Sequence, residues 1–163
     1  MAARKVTKSF HRLHAIQLTS LSVVELFVRA NQPPDPSVEY EDRSFSMSAG
    51  HSDYDAESRS ISISLKLEIG MDDDLDEAKH PFSLRVEVMG DFSIKEDEFP
   101  IDQINDWAKR NAPFILYPYV REHAFALTAR CGFRPILLPL LEVPTLVFDK
   151  ERSKQRPTKS KKT

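Results

Sequence analysis

Strands followed by helices, an α+β order, is the fold class this sequence predicts, and three patterns predict it. Ile61, Ile63, Leu65, Leu67 and Ile69 alternate with Ser62, Ser64, Lys66 and Glu68. Side chains of a strand point to opposite faces in turn, so the five aliphatics share one sheet face. The same alternation returns at greater length, with Phe82, Leu84, Val86, Val88, Gly90, Phe92 and Ile94 opposite Ser83, Arg85, Glu87, Met89, Asp91 and Ser93. Beyond residue 100 the spacing becomes three and four: Phe114, Tyr117, Val120, Ala124, Leu127 and Cys131 mark one covered face of a helix.

The remaining elements follow in order. An earlier strand is predicted over 14–28, but its phase slips from Ile16 and Leu18 to Leu21 and Val23, then to Val24, Leu26 and Val28. Such slips predict a bulge or two shorter strands. Residues 31–57 read as one long connection, with three prolines, many acids and serines, and isolated Tyr40, Phe45, Met47 and Tyr54; a loop of that length favours an interaction role. The two clear strands are joined by MDDDLDEAKHP, a hairpin loop longer than the two-residue optimum. Ile101, Ile104, Trp107 and Ala108 predict a short helix with Asp102 at its start. The longer helix is expected to begin at Asn111 as N-cap, with Pro113 and Pro118 near the start, where a missing N–H costs little. It should run to about Cys131 and stop at Gly132. Three prolines in GFRPILLPLLEVPTLVF rule out a continuous helix and predict an extended, packed strap. The expected organisation is a flexible lead over 1–12, one domain over 13–148 and a basic, disordered tail over 149–163.

With 163 residues, one domain can bury roughly 70% of its unfolded surface and needs no staples. Lys plus Arg number 23 against 25 Asp plus Glu, a balance that argues against a nucleic-acid partner. Cys131 is the single cysteine, so the chain forms no internal disulfide and a reducing compartment is the natural reading. Arg4, Lys5 and Lys8 precede a stretch that Gln17, Thr19, Ser20, Ser22 and Glu25 interrupt, so no signal-peptide core is expected and the cytoplasm is the expected location. No run approaches the ~20 apolar residues of a membrane span. Four glycines and the lack of any phosphate-loop, dinucleotide, zinc-protease or nucleophile-elbow motif leave an enzyme without machinery. Histidines 11, 14, 51, 80 and 123 are scattered, and His123 and Cys131, about two helical turns apart, are too distant to act as base and nucleophile. No metal, no cofactor and no catalytic residue are therefore expected.

Phe92, Ser93 and Ile94 end a strand; Pro113, Leu116, Tyr117, Pro118, Tyr119, Arg121 and Glu122 open the main helix; Arg130, Gly132, Phe133, Pro135, Leu137, Leu138 and Pro139 close it into the strap. In that order these strings resemble the SecB-like chaperones, strongly after residue 80 and more weakly from about residue 13. The resemblance implies a four-stranded antiparallel sheet with a long and a short helix on one face, assembling as a dimer of dimers. It implies an ATP-independent holdase that binds unfolded or precursor polypeptides through extended apolar grooves, in protein export. Client contacts are expected at Tyr40, Phe45, Met47 and Tyr54 of the connection and at Leu137, Leu138, Leu140 and Leu141 of the strap. The oligomer interface is expected at Phe114, Tyr117, Val120, Ala124 and Leu127.

SecA, the export motor, is an expected partner by the same resemblance, but Arg85 stands where the third strand of SecA-docking members carries a glutamate. The end over 142–150 and the tail are also altered, the tail being basic through Lys150, Arg152, Lys154, Arg156, Lys159, Lys161 and Lys162. A dedicated chaperone of a toxin–antitoxin system, with the antitoxin as partner, is the alternative. An RNA-associated or assembly factor acting through the tail is a second.

Overall fold

The computed structural model describes residues 11–39, 45–71 and 80–142. The expectations for Tyr40, for most of the hairpin loop, for the first ten residues and for the tail lie outside them. Four strands, β1 (Ile16–Ala30), β2 (Ser46–His51), β3 (Ser60–Ile69) and β4 (Phe82–Ile94), form one antiparallel sheet in the order β1-β4-β3-β2. A single-turn 3-10 helix at Ile101–Gln103 leads into α1 (Ile104–Arg110), which is followed by α2 (Ala112–Arg130).

The phase slips of β1 have the cause the sequence suggested. Register shifts between Leu18 and Ser20 and between Val23 and Glu25 leave Thr19 and Val24 without a partner in the ladder. Each shift returns the next aliphatic to the same face, so Ile16, Leu18, Leu21, Val23, Leu26 and Val28 lie opposite Ile94, Phe92, Gly90, Val88, Val86 and Leu84. The core sits on that face: the aliphatics of β3 and β4 are buried with Ile104, Trp107, Leu116, Val120 and Ala124 of the helices. Phe92 and Trp107 meet edge to face with centroids 5.2 Å apart. α2 lies over β4 and β3 and scarcely reaches β1. Gly90 is the point of closest approach, since a Cβ there would lie 2.8 Å from both Leu116 Cδ2 and Leu18 Cδ1.

Three expectations are corrected. The connection over 31–57 is not continuous, because β2 lies inside it and pairs with β3 from Ser46↔Glu68 to His51↔Ile63. Asn111 does not cap α2: its own backbone is helical, it makes no cap hydrogen bond, and its Oδ1 is buried without a partner. Pro118 is not near the start but inside α2, where it removes the N–H that would reach the carbonyl of Phe114. The other end is as expected: Gly132 takes a φ of 82°, the left-handed conformation that stops the helix beyond Cys131.

Candidate client-binding surface

Residues 133–142 form the strap, without helix or strand. Pro135 and Pro139 lack N–H donors, so the segment cannot satisfy its backbone by regular pairing, and side chains of α2 do so instead. Tyr117 Oη donates to the Pro139 carbonyl at 2.6 Å, Arg121 Nε donates to the Leu138 carbonyl at 2.8 Å, and the Ile136 N–H donates to Thr128 Oγ1 at 3.0 Å. Phe133 anchors the near end against Phe82, centroids 5.1 Å apart. Held in this way, the strap sends alternate leucines in opposite directions. Leu138 is 2% exposed, whereas Leu137 and Leu140 are 63% and 82% exposed. A cleft of ≈ 290 Å³ runs along it, lined by Arg134, Pro135, Ile136, Leu137, Leu138 and Pro139 with Glu39 opposite. Arg134 and Glu39 form an ion pair at 3.3 Å.

The expected client residues thus divide. Leu137 and Leu138 both line the cleft, and Leu138 is also buried with the core. Leu140 is free on the surface, and Leu141 is half-buried against the core. From the connection, Met47 is exposed, while Phe45 and Tyr54 are half-buried against the same core and do not line the cleft. Tyr54 Oη donates to Glu96 at 2.6 Å. Desolvation, reinforced by that acceptor's charge, pushes the phenol up to about 12.

The expected interface residues lie mostly inside the protomer. Tyr117, Val120 and Ala124 are buried against the chain's own sheet, and Phe114 and Leu127 are half-buried. Periodicity located the covered face of α2, but the cover is the protomer itself. The apolar residues that α2 turns outward are Ile115, Tyr119 and Phe125. A second open surface went unread in the sequence. Because α2 stops short of β1, Leu21, Val23 and Leu26 stay exposed on the helix-bearing face of that edge strand, and Val24 projects at the bulge, 54% exposed.

The other sheet face is polar. Arg85 sits at its middle, 2.7 Å from Glu68 and 3.5 Å from Glu25, and Lys66 lies 3.5 Å from Glu68. Partial burial pushes the Glu68 carboxyl up, but the hydrogen bond from Arg85 and the charges of Lys66 and Arg85 outweigh it and hold the group below its ordinary 4.5. A depressed carboxylate contributes stability that is present above the unfolded-state value and lost as pH falls through the lower folded value. Arg85→Gln is therefore expected to lower the melting temperature at pH 7, with the gap from the parent closing below about pH 4. Thermal melts at the two pH values check it, and an equal gap at both would show that Arg85 acts through packing alone.

Among the described residues no group of three or more His, Cys, Asp or Glu is placed to hold a metal ion, and no helix is long and apolar enough to cross a membrane.

Comparison with known proteins gives these features a family. A profile of the family described as preprotein translocase subunit SecB matches residues 20–154. A Methanocaldococcus jannaschii protein described as uncharacterized is 35% identical over 88 residues, 54% of this chain and 56% of that protein. The protein-export protein SecB of Anaplasma phagocytophilum is 37% identical over 62 residues, 37% of this chain and 39% of that protein. The chain thus matches 56% of the length of the first relative and 39% of the second. Among solved structures, a Mycobacterium tuberculosis SecB-like chaperone, in complex with a ChAD peptide from the HigA1 antitoxin, superposes with a TM-score of 0.53 at 17% identity. That match covers 78% of this chain and 91% of the other, and it shows the fold: an α+β sheet of four antiparallel strands with helices. With the profile spanning most of the sequence, the chain belongs to the SecB family.

Proposed function

We propose that this chain is an ATP-independent holdase that keeps unfolded or precursor polypeptides from aggregating in the cytoplasm, without catalysis. The observation that carries the reading is the strap. Leu137 and Leu140 stand in water on a segment that three hydrogen bonds with α2 hold in place, so their exposure is built in rather than left over. Burying such side chains yields ~25 cal/mol per Å² whatever the client's sequence, which suits a binder of many chains. Individual sites are then weak, and assembly raises avidity through effective concentration. We assign assembly as a dimer of dimers to the two outward apolar surfaces, the free edge of β1 and the outer side of α2 with Ile115, Tyr119 and Phe125.

Export clients are the first reading, since one relative bears the name of a protein-export protein. Arg85 favours a second, a chaperone dedicated to an antitoxin. It is engaged with Glu68 and Glu25, so the open sheet face does not present the plain acidic surface expected for SecA. Binding of purified SecA separates the two.

The holdase reading is tested by diluting a chemically unfolded enzyme into the purified protein and following light scattering. The parent should suppress aggregation. Leu137→Ser with Leu140→Ser should lose most of that capacity, about tenfold in the concentration needed, at an unchanged melting temperature. A parent that suppresses nothing would end the reading.

A further inference from the structure

We propose that Glu39 and Arg134 form an ionic latch, which ties the connection after β1 to the strap and regulates how readily the cleft between them admits a client; this rests on the holdase reading above. The two walls of that cleft are built differently. One is the strap, fixed to α2 by its hydrogen bonds, and the other is the arm over 31–39, anchored at its near end. The Asn31 and Gln32 N–H groups both donate to the Pro81 carbonyl, at 2.9 and 3.1 Å, and Asn31 Nδ2 donates to Ser83 Oγ at 2.9 Å. Pro33, Pro34 and Pro36 then fix their own φ, and Asp35 Oδ1 accepts from the Ser37 N–H at 2.8 Å and from its hydroxyl at 2.6 Å. An arm braced in this way turns as one piece about its anchor. It passes over the end of α2, since a Cβ at Gly132 would lie 3.3 Å from Pro34 Cβ. At its far end Glu39 Oε2 reaches Arg134 Nη1 at 3.3 Å, from one wall of the cleft to the other.

Burial does not seat that far end. Val38, beside Glu39, is exposed, and the side chains of Glu39 and Arg134 are each more than half exposed. Arg134 itself follows the anchored Phe133 and precedes Pro135, so the arm is the wall that yields. A pair so open to water shifts an equilibrium by about fivefold at most. That is too little to lock the cleft and enough to bias it. The apparent affinity for a client scales with the fraction of molecules whose cleft is open. The latch therefore sets a modest threshold, which an entering apolar segment overcomes by its own burial. Salt screens exposed charges, so the threshold falls as ionic strength rises.

The probe is a short uncharged peptide of alternating leucine and serine, capped at both ends and carrying a neutral dye, titrated by anisotropy. In about 20 mM sodium chloride Glu39→Gln and Arg134→Gln should each bind it about two- to fivefold more tightly than the parent. In about 0.5 M salt the gap should close, because screening opens the parent's latch. Comparing the proteins within each salt removes any effect of salt on apolar burial itself. Glu39→Arg combined with Arg134→Glu rebuilds the pair in reverse and should bind as the parent does, a result that direct contact between Arg134 and the peptide would not give. All these variants should melt with the parent, since neither side chain is buried. Equal affinities of the parent and both glutamine variants at low salt overturn the latch. So do changes of opposite sign in the two, or a double reversal that keeps the glutamine variants' affinity. Glu39→Gln alone decides the matter should the Arg134 variants fail to fold by circular dichroism. In each of these cases the parent's suppression of aggregation leaves the holdase reading standing, while a parent that neither binds the peptide nor suppresses aggregation overturns both.

Discussion

Val23→Asp combined with Leu26→Asp is expected to reduce the proposed dimer of dimers to dimers joined through the outer side of α2. Both side chains lie on the helix-bearing face of β1, 46% and 43% exposed, beside Leu21 and the bulged Val24. The same strand offers a free backbone. Lys95 donates to the Ala15 carbonyl and Asn31 to the Pro81 carbonyl, which fixes the ladder so that Leu21, Val23, Leu26 and Val28 turn their N–H and C=O groups away from β4. At 15 residues β1 is long enough for two copies to join edge to edge and bury their aliphatics together. Placing a carboxylate in that contact costs on the order of 2 kcal/mol or more, and two copies bring four. A rise in the dissociation constant of more than about a hundredfold follows. Light scattering on an eluting sample reads the mass directly, and circular dichroism should stay native because neither residue belongs to the buried core. An unchanged mass would remove the β1 edge from the proposed interfaces.

The largest loss of stability is expected for Phe82→Ala, about 3–5 kcal/mol. The ring is 2% exposed at the start of β4, and its partner Phe133 comes from the strap, the element least supported by regular structure. Truncation leaves a cavity that β4 cannot close without leaving its ladder. It also releases the strap's near end, so the cost should extend beyond the lost transfer energy. For a chain of this size each kcal/mol shifts the melting temperature by roughly 2–4 °C, giving a fall of about 6–20 °C. Phe114→Ala, at a half-buried position on α2, serves as the comparison and should cost clearly less. Equal losses would mean that the Phe82–Phe133 contact is incidental.

Much of the fold was legible because its central strands are covered on one face and wet on the other, a condition that forces strict alternation. β2 escaped notice for a physical reason. SMSAGH lies at an edge, exposes nearly all its residues and is held by backbone bonds to β3, so its side chains carry no periodic signal. The helix shows the opposite failure. Tyr117, Val120 and Ala124 announced a covered face correctly, yet spacing cannot tell whether a sheet of the same chain or a second subunit provides the cover. In the strap, Leu137 and Leu138 are neighbours of identical chemistry with opposite fates, decided by hydrogen bonds that Tyr117 and Arg121 donate and Thr128 accepts, 8 to 22 residues away in sequence. β1's open face depended on where α2 would come to rest, and that follows from the packing at Gly90 and Leu116 rather than from β1 itself.

Gly90 has a mechanical consequence. The strap's hydrogen bonds go to α2, and α2 in turn rests on the sheet where Leu116 closes over a residue that has no side chain. The exposed leucines therefore ride on the helix as passengers on a lever, whose height above the sheet is set by one absent methyl group. Any change that lifts the helix there carries Leu137 and Leu140 with it, and alters the depth of their cleft without touching a residue that lines it.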